Sequence, residues 1–309
     1  MLISNPVHNS LFRPTAIIIV AFLAVTLLIL LVESRFDLQR LAANSLFRRW
    51  RVWAIIAPVF SIAIFCGQIT ALILVSFLIF QGLREYAALV KLPADYRRIL
   101  LTAGLLPAPI ALLSLDAFHA FPPILLIVGT LEPLLLPRGD RRQELNVRHL
   151  AFAVLGWGYI AWFLAHFILI DKYVAGGIGI LLAIGFGTAL SDVGAFVVGK
   201  RFGKRKLAPH LSPNKTWAGA AGSLVGAYLG IGVMAFALPG DLRWLLVLLL
   251  PIVIALGAIW GDLLESSIKR EFAVKDAGSW LPGFGGLLDR VDSLIIVVPL
   301  SFYFLRVVG

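Results

Sequence analysis

A chain of 309 residues that is 60% hydrophobic and 14% charged, with a mean hydropathy of +0.94, lies far from the roughly 45–50% apolar, 25% charged average of soluble domains. That excludes an ordinary soluble enzyme and specifies a polytopic membrane protein. The net charge of +10 invites a nucleic-acid reading, which the placement of the charges along the chain removes.

A bilayer core about 30 Å thick takes about 20 apolar residues per helical span, and the apolar runs here have that length without the two-residue alternation of barrel strands. The expected fold is all-α, a polytopic integral membrane helical bundle of about ten transmembrane helices. In chain order the spans fall at about 15–32, 51–66, 68–88, 99–115, 121–137, 150–170, 177–199, 217–238, 243–262 and 291–308. The first is expected to be a retained anchor: only Arg13 precedes it, no small-residue cleavage site follows, and basic residues lie on its far side. Between the second and third, Cys66-Gly67-Gln68 offers a break, although residues 52–80 could form one long tilted helix. The charges decide for two spans. With ten spans, the loops at 33–50, 84–98, 138–149, 200–216 and 263–290, together with Arg51, carry 23 of the 27 Lys and Arg residues. Only Arg13, Lys172, Arg243 and Arg306 remain for the other side. Cytoplasmic loops collect Lys and Arg, so the five basic loops are assigned to the inside and both termini to the outside.

The organisation expected from this is an N-terminal anchor and basic loop at 1–50, a membrane scaffold at 51–149 and a catalytic membrane domain at 150–309. Polar groups within the scaffold spans are few. Glu132 is the exception: an acid in a span is costly, so it is either a functional group or a helix-end residue beside Pro133 facing the bundle. Cys66 is the single cysteine, so no intrachain disulfide forms, and the five histidines show no metal-ligand spacing. In the second half the spans become rich in Gly and Ala, which lets membrane helices approach closely. Gly185-Phe186-Gly187 belongs to that packing, because no strand precedes it to make a nucleotide fingerprint.

Two loops of the second half differ in character. Lys200 to Thr216 holds six basic residues and no acid. It could bind phosphate through its lysines, the Ser212 and Thr216 hydroxyls and the amides of the helix that follows, or it could simply touch anionic lipid headgroups. Residues 262–292 hold six of the seventeen acids: Asp262, Glu265, Glu271, Asp276, Asp289 and Asp292. Asp262, Glu265, Ser266 and Lys269 recur at helical spacing on one face, and Asp289 and Asp292 stand three apart at the start of the last span. The glycines of Pro282-Gly283-Phe284-Gly285-Gly286 permit a turn bringing the two helix ends together. Hard oxygen ligands from two helix ends suit Mg²⁺ with substrate phosphate. The alternative is that the acids pair with Lys269, Arg270, Lys275 and Arg290 as solvated salt bridges. Asp192, within the seventh span, costs roughly 2.5–3.5 kcal/mol if central and unpartnered, so it meets the basic loop or helps to hold a cation.

SSIKREFAVKDAGSWLPGFGGLLDRVD, residues 266–292, resembles the signature of the phosphatidate cytidylyltransferases, the CDP-diacylglycerol synthases, and differs at one fixed position, where the family's histidine is Phe284. Upstream, SDVGAFVVGKRFGKRKLAPHLSPNKTWAG is similar to that family's acid-glycine-alanine-aromatic segment and its serine-proline-x-lysine-threonine loop. The added first span resembles a divergent bacterial branch. The resemblance implies transfer of a cytidylyl group from CTP to phosphatidate or a similar lipid phosphate, with Mg²⁺ as cofactor, at the cytoplasmic surface of a bacterial inner membrane. It implies Asp262 and Asp289 as metal ligands supported by Asp292 and Glu265. Lys269, Arg270, Lys275 and Arg290 become phosphate contacts, and Ser212, Lys215, Thr216, Ser266, Asp192 and Asp276 line the substrate. The implied partners are CTP, the lipid phosphate and membrane lipids, with a homodimer left open and no nucleic acid. A non-catalytic or altered-substrate member binding nucleotide or anionic lipid is the alternative. A secondary transporter using Asp192 and Glu132 is a remote one, because the acids collect at one end of the spans instead of at the midplane.

Overall fold

The computed structural model describes residues 3–135, 147–278, 280 and 285–309. The apolar helix α1 (Phe12–Glu33) stops at Ser34, after which Arg35 and Phe36 adopt left-handed φ values of 55° and 59°. Short α2 (Leu38–Ala43) is capped by Asp37, and α3 (Ser45–Phe65) by Asn44, whose side chain accepts the Leu46 N–H at 2.8 Å. The chain then breaks where the sequence offers it: Gly67 has φ 107°, a conformation open to glycine and strained for other residues, and α4 (Gln68–Leu89) begins.

The fourth expected span is built from two helices, α5 (Ala94–Gly104) and α6 (Pro107–Leu113), with Pro107 at a helix start where its missing N–H leaves no bond unmade. After α7 (Leu115–Leu135) comes α8 (Val147–Gly156), which passes through a π-helical turn at Trp157–Trp162 into α9 (Phe163–Tyr173). The second half is α10 (Gly177–Phe202), an antiparallel hairpin of β1 (Lys206–Ala208) and β2 (Ser212–Thr216), then α11 (Trp217–Val233), α12 (Arg243–Glu271) and α13 (Leu288–Val308). The fold is an all-α polytopic membrane bundle, with this hairpin where the sequence suggested only a basic loop.

Among the described residues, seven helical segments are long and apolar enough to cross a membrane: Phe12–Glu33, Gln68–Leu89, Ala94–Leu113, Arg148–Tyr173, Gly177–Phe202, Arg243–Glu271 and Leu288–Val308. The other three expected spans coincide with α3, α7 and α11. Arg48, Arg49 and Arg51 occupy the first turns of α3, and α11 has only 17 residues. The Glu132 side chain lies outside the described residues.

Glycines set how closely the second-half helices pack. Along α11, Gly222, Gly226 and Gly230 recur every four residues against the backbone of α10, and a Cβ built at Gly230 would stand 2.6 Å from Gly187 Cα. A methyl group at Gly226 would run into the Leu190 carbonyl, whereas Gly232 faces open space. Gly226→Ala is therefore expected to cost about 1–3 kcal/mol through overpacking. Gly232→Ala should be neutral or slightly stabilising, and thermal unfolding of the two variants in detergent separates them. Between α12 and α13 the close approach is at Gly261, where an added Cβ would come within 3.0 Å of Ser293 Cα. That contact places the adjacent Asp262 next to the start of α13.

Candidate functional site

At the end of the bundle where α10 stops and α13 starts, a cavity of about 740 Å³ opens between α10, the hairpin, α11, α12 and α13. Small-molecule sites commonly span about 300–1,000 Å³, so it is large enough for a nucleotide-sized ligand. Each wall follows from local sequence. Thr216 ends β2 and caps α11, its Oγ1 accepting the Gly219 N–H at 3.0 Å, so the hairpin is fixed to the helix that follows. The Trp217 N–H donates to the Arg205 carbonyl at 3.1 Å. Two amides at the start of α11 are thus already engaged, and the free helix N-terminus anticipated for phosphate is in part occupied by the chain itself.

Opposite the hairpin, α12 runs on to Glu271, and Asp262, Glu265 and Lys269 project from its last turns into the cavity. Lys269 is the centre of a buried network. Its Nζ donates to Glu265 Oε2 at 2.7 Å and to Asp289 Oδ1 at 2.9 Å, with side-chain exposures of 13% for the lysine, 2% for Glu265 and 5% for Asp289. This bond joins the ends of α12 and α13 across twenty residues of chain. Asp289 is further engaged: Oδ2 accepts the Gly286 N–H at 2.7 Å, and both oxygens share the Ala277 N–H at 3.1 Å. Asp289, a metal ligand by resemblance, thus accepts hydrogen bonds at both oxygens from nitrogen donors that tie it to Lys269, Ala277 and Gly286. Gly285 has φ +86°, and a Cβ there would stand 2.7 Å from Asp289 Oδ2, so the turn needs glycine on both counts.

The remaining acids differ in exposure: Asp292 and Glu265 are buried like Asp289, whereas Asp262 is open to the cavity. Asp262 Oδ2 pairs with Lys215 Nζ from β2 at 2.6 Å, and the Asp262 side chain is 43% exposed. Asp292 Oδ1 accepts the N–H of Ser293 at 2.7 Å. Ser293 Oγ in turn donates to Asp192 Oδ1 at 3.3 Å and to the Ala258 carbonyl at 3.5 Å. Asp192, expected to meet the basic loop after α10 or to help hold a cation, accepts this hydrogen bond from α13 and lines the same cavity as Lys206 and Lys215 of that loop. Glu265 Oε1 is buried without a hydrogen-bond partner. Among the described residues no three of His, Cys, Asp and Glu form a ready-made metal cage. Mg²⁺ seldom uses one: it takes one or two carboxylates and completes its shell with water and phosphate. The unpartnered Glu265 oxygen, the exposed carboxylate of Asp262 and the buried one of Asp292 line one cavity and fit such an ion.

Residues 47–308 match the Cytidylyltransferase family. The chain belongs to that family. Over most of its length the chain is similar to the uncharacterized protein YnbB of Escherichia coli K12, at 31% identity over 84% of this chain and 86% of the relative. It is 42% identical to the phosphatidate cytidylyltransferase of Bacillus subtilis over 37% of this chain and 43% of that protein. The enzyme of that name from Haemophilus influenzae is 40% identical over 41% of this chain and 46% of its own length. The aligned segments thus span less than half of these two enzymes.

In this member of the family the cavity gathers Asp192, Ser212, Lys215, Thr216, Asp262, Glu265, Lys269, Asp276, Asp289, Arg290 and Asp292. It leaves out three of the sequence-derived residues. Ser266 is buried behind the wall, with its Oγ 3.4 Å from Asp262 Oδ1. Arg270 turns away and donates from Nε to the Leu211 carbonyl at 3.2 Å, fastening the hairpin to α12. Lys275 is exposed outside the lining. Phe284 lies outside the described residues.

The sequence reading missed Glu85. Placed there among the residues of a basic loop, it is in the structure a buried residue on the last turns of α4, accepting the Leu287 N–H at 3.0 Å and the Leu288 N–H at 2.8 Å. The sequence carries no clear signal for it: the four-residue series that leads to Gln81 and Glu85 begins with the exposed Ile73 and Phe77.

Proposed function

We propose that this protein transfers the cytidylyl group of CTP to phosphatidate, or to a similar lipid phosphate, giving CDP-diacylglycerol and pyrophosphate. The observation that carries this reading is the meeting of α12 and α13 carboxylates with hairpin lysines in one cavity large enough for a nucleotide. A phosphate oxygen of the acceptor attacks the α-phosphorus while the bond to the leaving pyrophosphate breaks. The acceptor is already anionic, so the site needs no Ser-His-Asp or Cys-His set, only in-line placement and compensation of negative charge. Lys215, Lys206 and the Ser212 hydroxyl face the cavity from the hairpin and hold phosphate oxygens. Lys269, fixed by Glu265 and Asp289, presents its charge from the opposite wall. Asp262, Asp292 and Glu265 would hold Mg²⁺, which supplies neutralisation of the triphosphate when bound.

The concentration of 23 of the 27 Lys and Arg residues in alternate loops supports placing this end of the bundle in the cytoplasm of a bacterial cell, where soluble CTP reaches the cavity and the lipid acceptor comes from the inner membrane. The test is CDP-lipid formation from CTP and Mg²⁺ in mixed micelles, across several lipid phosphates, with the natural chain run beside Phe284→His. Turnover by the natural chain, with the histidine variant equal to it, is the expected result and makes Phe284 compatible with chemistry. Binding of CTP without product from any acceptor, in a chain that Phe284→His awakens, would replace this reading with that of a nucleotide-binding relative.

A further inference from the structure

We infer that Glu85, from the first half of the chain, is a positioning residue that holds the α12–α13 turn so that Asp289 keeps Lys269 aimed into the cavity. Helix α13 has no side-chain cap of its own, and its first amides would otherwise lack acceptors. Glu85 supplies them from α4: Oε1 accepts the Leu287 N–H at 3.0 Å and Oε2 the Leu288 N–H at 2.8 Å, while Gln81 Nε2 donates to Oε1 at 2.7 Å. These three donors are neutral. A buried acid, 6% exposed, is stabilised here by hydrogen bonds and by the positive end of the α13 dipole.

The turn is shaped around this carboxyl. A Cβ on either Gly278 or Gly286 would come within 2.9 Å of Glu85 Cδ, so both glycines are places where the chain closes on the acid. Gly286 then donates to Asp289 Oδ2, and Ala277, beside Gly278, donates to both Asp289 oxygens. Asp289 passes the constraint to Lys269 at 2.9 Å. Glutamine at position 85 has the same size but replaces one acceptor oxygen with a donor NH₂ that must face an amide N–H or Gln81. The turn would loosen while the packing volume stays the same.

The kinetic part of the test rests on the cytidylyl-transfer reading; the chemical part does not. In detergent micelles, an amine-reactive ester should acylate Lys269 several-fold faster in Glu85→Gln than in the natural chain, read by peptide mass spectrometry. Exposed Lys91 serves as the internal reference and should react at the same rate in both. In turnover, Glu85→Gln should lower kcat by about 10²-fold, the scale of a small misplacement in a catalytic site, with little change in KM for CTP. Glu85→Asp should recover part of the loss. In a Lys269→Met background the Glu85→Gln change should lower kcat no further, because both act on one group. Unchanged Lys269 labelling, or independent losses in the double variant, overturns the inference. A natural chain that makes no CDP-lipid, yet whose Lys269 becomes more reactive in Glu85→Gln, refutes the transferase reading and upholds this one.

Discussion

Lys269→Met is expected to leave a chain that unfolds more readily and makes little or no CDP-lipid. The lysine is hydrogen-bonded to both Glu265 and Asp289, which are 2% and 5% exposed at their side chains. Removing one partner of a buried pair costs about 3–5 kcal/mol, because the charge left behind has neither water nor a counterion. Here two carboxylates are stranded, with Asp292 beside them on the same cavity wall. Methionine keeps the length of the side chain, so the loss reports charge and not volume. Thermal unfolding in detergent gives the stability term. Turnover at saturating CTP and Mg²⁺, corrected for the folded fraction, gives the electrostatic one, expected near 10²–10³-fold by analogy with the removal of a single oriented donor. Full turnover per folded molecule would remove Lys269 from the chemistry and leave it as a structural clasp.

Asp262→Asn and Asp289→Asn should both abolish most CDP-lipid formation, again on the order of 10²–10³-fold, but for different reasons that the Mg²⁺ titration separates. Asp262 faces the cavity with a single ion pair to Lys215, so its loss weakens the hold on the cation and moves the Mg²⁺ requirement upward. Asp289 has its oxygens engaged by Lys269, Ala277 and Gly286. Its loss should lower the rate at saturating Mg²⁺ and leave the Mg²⁺ midpoint nearly where it was. Robust turnover by both variants would take these carboxylates out of the mechanism.

The helices were legible because hydropathy over twenty residues reports burial in lipid whatever the neighbours are. Even the break before α4 could be read, since Gly67 is where a backbone can take φ 107° without strain. The acids of α12 and α13 were legible for a related reason: carboxylates gathered near the ends of apolar runs have no role in holding a membrane span, and their i, i+3 and i, i+4 spacing placed them on common faces. The hairpin was hidden. Its strands, Lys206–Ala208 and Ser212–Thr216, are short, polar and interrupted by proline, with none of the alternation that marks a half-buried strand. What sequence could not convey was which oxygen is already engaged. Asp262 and Asp289 look alike in the sequence, and the Ala277 and Gly286 amides that bond Asp289 distinguish them. Arg270 and Lys275 are phosphate contacts by resemblance, whereas direction sends one to the Leu211 carbonyl and the other outside the cavity lining.

The bonds from Glu85 to Leu287 and Leu288 also set an order of assembly. They join residues separated by 202 and 203 positions, so α4 enters the bilayer long before its acceptor groups are satisfied. During that interval the carboxylate has Gln81 of its own helix beside it and lacks the two amides that satisfy it in the folded chain, an unfavourable state for a group to be buried that ends when α13 arrives. Insertion of α13 therefore relieves a strain created much earlier in synthesis and orders the turn beside Asp289 in the same event. A half-inserted chain carries the hairpin and its lysines but no finished cavity, because α13 forms one wall of it.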